Sequence, residues 1–195
     1  MNISEFLGTL NVVDVLIILG LFGGFVLGYA QGAIRRVVGI ATMTFSFFVA
    51  AQLSVPVGSF LAQHWTQFPP EYAAMLGFLM LFIAGVVAFA LVVQGTYSKV
   101  EIFAQHPVVD EVVGGILGVI QVFLLVMFLT IILDQFFLSP AYQPNANEIP
   151  ALANIWAAID GSRIGQMLHQ TAIPNFLGLV QFLVPQGMLA IYGIR

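Results

Sequence analysis

The chain has 195 residues, of which 60% are hydrophobic and 7% charged; that is about a third of the charge usual in a soluble domain, too little polar surface to keep it dissolved. Nine acids and five bases give a net charge of −4 with no block of either sign, which argues against nucleic acid as a partner. There is no cysteine, which excludes disulfides, thiolate nucleophiles and cysteine-bound metals while leaving the compartment open.

Met1 to Asn11 carries Glu5 but no Lys or Arg, so it lacks the basic start of a secretory signal. Ile3, Phe6, Leu7 and Leu10 share one helical face and read as an interfacial lead-in. A first membrane span is expected from about residue 12 to residue 29, with Asp14 close enough to its end to reach headgroup water or to cap the helix. Through it Gly20, Gly24, Gly28 and Gly32 recur at every fourth position. In lipid a face without side chains lets a second helix approach to backbone contact, so the stripe marks a packing face within the chain or between two copies.

A second span is expected from about 34 to 55, stopping where Pro56 and Gly58 interrupt the apolar run. Only a few residues separate it from the first span, which predicts a tight antiparallel hairpin near Gln31 and Gly32 with the two helices side by side. The third span, about 72 to 93, holds no charge and at about 1.5 Å per residue reaches roughly 33 Å, enough to cross a hydrocarbon core of about 30 Å. The fourth, about 112 to 133, is also uncharged and is closed by Asp134. Gly114 and Gly118 give it a second packing face.

The loop between spans two and three contains Trp65 and, at its end, Tyr72, both suited to an interfacial aromatic belt, and no Lys or Arg. Arg35, Arg36 and Lys99 all fall on the opposite side. Positive charge marks the cytoplasmic side, so both termini are expected outside, in a multi-pass protein of the bacterial inner membrane. Asp110 lies at the same interface as the arginines, where it can cap span four or meet one of them in a solvated pair worth about 0–1 kcal/mol.

Residues 1–137 therefore read as a four-span membrane domain and 138–195 as an extramembrane amphipathic tail, opened by Pro140, Pro144, Asn145, Asn147 and Pro150. Leu152, Ile155, Trp156 and Ile159 follow helical spacing, ended by Asp160 and Gly161. Ser162 can cap a second short helix bearing Ile164, Met167 and Leu168. Phe176 to Val184, between Pro174 and Pro185, is too short to span. These segments are expected on the membrane surface or against the four-helix core. The fold class is an all-α integral membrane protein with four transmembrane helices and short interfacial, amphipathic C-terminal helices.

The chemistry is sparse. His64, His106 and His169 lie outside the spans, with no metal-ligand spacing. Neither a nucleophile elbow nor a phosphate loop is present, and no catalytic, cofactor-binding or metal residue is assigned. The deep polar residues are Thr42, Thr44 and Ser46 in span two and Gln121 in span four. These read as hydroxyls bonded to their own backbone and an amide bonded to a neighbouring helix rather than as a transport path.

Two stretches resemble the colicin V production protein family. One is Asn11-Val12-Val13-Asp14, the run to Gly28 and Gly32, Arg35, and the second span ending Phe47-Phe48-Val49-Ala50-Ala51; the other is Val109-Asp110, then Val112, Gly114, Gly118 and the apolar run to Leu133-Asp134. Together they cover most of residues 11 to 137. The family commonly shows a basic residue where Gln31 stands, an aromatic at Ala33 and an Arg at Gln121. The resemblance implies a four-span inner-membrane protein linked to production or export of a toxin peptide; with no catalytic constellation among the residues, a non-enzymatic accessory or scaffold for export or envelope processes is expected. It implies the lipid bilayer and membrane or envelope proteins as partners, with homo-oligomers through the glycine faces as a further expectation. A small oligomeric channel or transporter is the alternative, and an intramembrane enzyme a more distant one.

Overall fold

The computed structural model describes residues 11–96, 107–139, 142 and 148–194. The lead-in residues Ile3, Phe6, Leu7 and Leu10, together with Lys99, His106, Pro140, Pro144, Asn145, Asn147 and Arg195, lie outside the described residues. Four long helices dominate: α1 (Val12–Gln31), α2 (Ala33–His64), α3 (Pro70–Thr96) and α4 (Pro107–Phe137). Each carries a stretch long and apolar enough to cross a membrane. No strand occurs among the described residues. One end of the bundle holds the α1–α2 turn and the start of α4 (the turn end). The other holds the start of α1, the end of α4 and the short C-terminal helices (the tail end).

Helix α1 packs along α4, while α2 packs mainly on α3 and also on α4. This corrects the expected side-by-side packing of the first hairpin, since α1 and α2, though joined by a tight turn, make little contact and the neighbour of α1 in space is α4. A single residue, Gly32, joins α1 to α2 at φ 80°, a conformation that a side chain would strain. The reason for the pairing is the match of small residues. A methyl group placed on Gly24 would sit 2.7 Å from the Gly118 carbonyl oxygen, and Gly28 faces Gly114 in the same way. Only where both helices lack side chains can backbones touch and recover dispersion contacts that lipid does not supply. Gly20 makes only ordinary contact, 3.6 Å to Val122.

Helix α2 runs on through Pro56 to His64, beyond the stop expected at Val55. Proline removes the N–H that would bond the Gln52 carbonyl, and the nearby hydroxyls of Ser54 and Ser59 bond the Ala51 and Pro56 carbonyls instead of that one. Gly58 lies so close to α3 that an added Cβ would be 2.6 Å from the Ala74 Cα. Packing on α3 holds the helix past the break.

The core is aromatic. Phe47 of α2 stacks on Phe128 of α4 at 4.2 Å between ring centres, with Phe82 and Phe78 of α3 at 6.3 and 5.6 Å. The tail joins this core rather than standing apart, because Phe176 approaches Phe128 to 5.5 Å and stacks near Phe48 at 6.3 Å. The tail comprises α5 (Pro150–Asp160), α6 (Arg163–Met167), a π-helical turn Leu168–Ala172, α7 (Ile173–Leu179), a 3-10 turn Gln181–Leu183 and α8 (Gln186–Ile191). Ser162 caps α6 by accepting from the Gly165 N–H at 2.8 Å, as its position before Ile164 suggests.

Candidate functional site

The tail is fastened to the bundle at several points. The Ile149 N–H donates to the Tyr72 hydroxyl at 2.9 Å, tying the start of α5 to the start of α3. Asp14, fully buried in the first turn of α1, accepts from the N–H groups of Asn11 (3.0 Å), Arg163 (3.2 Å) and Ile164 (2.9 Å). One carboxylate thus caps its own helix and receives the free N–H groups at the start of α6. Two helix ends meet at one negative charge, which their dipoles favour. Further along, the Gln52 side chain donates to the Leu183 carbonyl at 2.9 Å.

The densest polar cluster surrounds Asp134, the residue that closes α4's apolar run and is fully buried. Its Oδ1 accepts from Trp156 Nε1 at 2.8 Å and its Oδ2 pairs with His169 Nε2 at 3.0 Å. The Tyr192 hydroxyl donates to the same Oδ2 in a short hydrogen bond. The other imidazole nitrogen, His169 Nδ1, stands 3.4 Å from Asp160 Oδ1. Helices α4 and α5, the π-turn and the segment after α8 therefore converge on one carboxylate. Trp156 also stacks on Phe137 at 5.2 Å, so the indole contributes packing and a donor together.

The bond to Asp134 raises the pKa of His169 above its ordinary value; partial burial opposes this, and the charges of Asp134 and Asp160 add to it. Burial beside Asp134 pushes the Tyr192 phenol upward as well, so that it stays a donor. His169 sits on a π-helical turn, an irregularity that re-aims side chains and often marks functional positions. Trp156 and Asp134 drew attention in the sequence for helical spacing and span closure, but the link between them did not.

At the turn end the residues singled out in the sequence are placed differently. Arg36 reaches into the bundle and its Nη1 donates to Gln121 Oε1 at 2.8 Å. Gly39 makes room for that amide, since a Cβ there would lie 2.9 Å from Gln121 Nε2. The Arg36 Nε is buried and has no hydrogen-bond partner among the described residues. Asp110 lies in the first turn of α4 with Oδ2 against Gly32, and its buried Oδ1 likewise has no partner. Among the described residues no ion pair joins Asp110 to Arg35 or Arg36. Arg35 is exposed. Thr42 and Ser46 bond backward to the carbonyls of Gly39 and Thr42. Gly24, Gly28, Gly114 and Gly118 share the α1–α4 seam, Gly32 makes the turn, and Gly20 lies at the seam's margin.

A family model described as "Colicin V production protein" matches residues 13–172, a range that takes in the four long helices, α5, α6 and the π-turn carrying His169. No curated protein and no solved structure matches the chain.

Proposed function

The chain belongs to the colicin V production protein family, and from that premise we propose that it is a non-enzymatic accessory or scaffold protein of the bacterial inner membrane. In this role it would serve toxin production or export, or another envelope process, by presenting its docked tail to membrane or envelope partners. The observation that carries this reading is the use made of the buried carboxylates. Asp14 and Asp134 direct their oxygens to donors of the tail itself, so their chemistry is that of fasteners that shape a surface. A catalytic carboxylate would have to turn toward a substrate.

The proposed orientation places the turn end, with Arg35 and Arg36, in the cytoplasm, and the tail end outside, by the charge rule. A chain without cysteine can take single cysteines freely. An impermeant thiol reagent should label position 65 and spare position 99 in intact cells; the reverse would invert the topology. Neutralising Arg35 and Arg36 together should disturb insertion more than neutralising Asp110, since acidic residues contribute little to orientation. Crosslinking from native membranes tests the scaffold reading, which predicts recovery of specific envelope proteins that is lost in the Asp134→Ala variant.

A second reading, a small oligomeric channel or transporter, draws on the Arg36–Gln121 pair within the helices, because ionisable groups at depth commonly mark ion or substrate paths. Ion flux through purified protein in liposomes, abolished by Gln121→Leu, would favour it over the scaffold.

A further inference from the structure

We propose that His169 is a proton-operated clasp that locks α5 and the π-turn onto the end of α4. The groups facing its ring are Asp134 from α4 and Asp160 from the end of α5, with the Tyr192 hydroxyl sharing the Asp134 oxygen. Asp134 is hydrogen-bonded to Nε2 and Asp160 stands 3.4 Å from Nδ1 as an ion-pair contact, so each ring nitrogen faces a carboxylate that favours an N–H. A protonated imidazole has two and a neutral one has one. The protonated ring therefore bridges the buried Asp134 and the half-exposed Asp160, whose side chain is 49% accessible. Loss of the proton leaves one nitrogen as a lone pair facing a carboxylate.

Which contact fails follows from burial. Asp134 is fully buried and has no water to turn to, so it retains the remaining N–H, whereas Asp160 reaches solvent. Release is therefore expected at Asp160, in the last turn of α5, next to the Gly161 joint. The His169 side chain is itself 15% accessible, which gives protons a route in and out. The direction of its pKa shift agrees with the geometry, since both carboxylates favour the charged ring. The sign follows from linkage. A raised pKa in the docked form gives a contribution fully present below the ordinary value of about 6.5, and lost as pH rises through the raised one.

The clasp deepens the scaffold reading, because it makes the tail surface conditional on acidity at the face the tail occupies. Its test needs no partner and no orientation, so failure here would leave the scaffold reading standing. Trp156 is the reporter, four residues from Asp160 and bonded to Asp134. Trp65→Phe removes the only other tryptophan, as the chain has two. In the full-length W65F protein in detergent or nanodiscs, Trp156 emission is followed from pH 5 to pH 9. The expected result is one sigmoidal red shift with a midpoint above about 6.5. H169Q, which keeps one donor and has no titration, should flatten it, and D160N should move the midpoint down. Constant emission in W65F would overturn the clasp, as would an unchanged sigmoid in H169Q or an unmoved midpoint in D160N. D160N perturbs only an exposed group and decides the matter even if H169Q does not fold.

Discussion

The two ends of the bundle handle buried polar groups in opposite ways. At the tail end Asp14 and Asp134 are completely buried and both their oxygens have donors. At the turn end Asp110 Oδ1 and Arg36 Nε are buried without a partner among the described residues. A satisfied buried carboxylate holds elements together, and removing it strands its donors. An unsatisfied one holds little, and removing its charge costs little. The difference locates the structural fastening at the tail and leaves the turn end with unmatched polarity.

Asp134→Ala should break the comparison most severely. It leaves the Trp156 indole, the His169 imidazole and the Tyr192 hydroxyl without their acceptor, at a cost of about 3–5 kcal/mol. Reversible unfolding in detergent would measure this. Gly28→Ala comes next and affects both ends, since it forces α1 off the Gly114 backbone, and overpacking of this kind costs about 1–3 kcal/mol. Gly23→Ala is its control, because a methyl group there meets nothing within 4 Å and should leave the melting midpoint unchanged or slightly raised.

The single-turn features were legible in the sequence. The glycine spacing and the Ser162 cap each follow from residues within one or two helical turns, whereas the amphipathic face of α5 was legible in part, since Leu152 and Trp156 pack on the core while Ile155, read into the same face, is 50% exposed. The fastenings were not legible, because nothing local reports them. Asp14 and Ile164 are 150 residues apart, Arg36 and Gln121 are 85 apart, and His169 and Asp134 are 35 apart. Asp14 was readable as a cap for its own helix, but its second duty at the start of α6 depends on how the tail returns. The pairing of α1 with α4 was half visible: both glycine faces stood out, while the short connection drew α2 forward as the neighbour. Gly39 held an unused signal, a small residue on α2 whose gap admits the Gln121 amide.

Smaller substitutions sharpen the contrast between the ends. Asp14→Ala removes the acceptor of three backbone N–H groups and should cost about 1–2 kcal/mol, the range of a lost helix cap. Asp14→Asn keeps a carbonyl oxygen and should cost less. Asp110→Asn, at the opposite end, should change stability by less than about 1 kcal/mol in either direction. If Asp110→Asn instead abolished the cellular phenotype while the protein stayed inserted and abundant, Asp110 would be a functional carboxylate and the turn end the working end.

Hydrogen exchange tests the central claim, that the tail is a fastened part of the bundle, most directly. In the full-length chain in nanodiscs at fixed pH, the amides of 163–177 should be protected to a degree comparable with those of 128–134 in α4, and Asp134→Ala should release the tail amides while leaving the α4 amides slow. Tail amides that exchange within seconds in the unmodified protein, or that are indifferent to Asp134→Ala, would contradict the account.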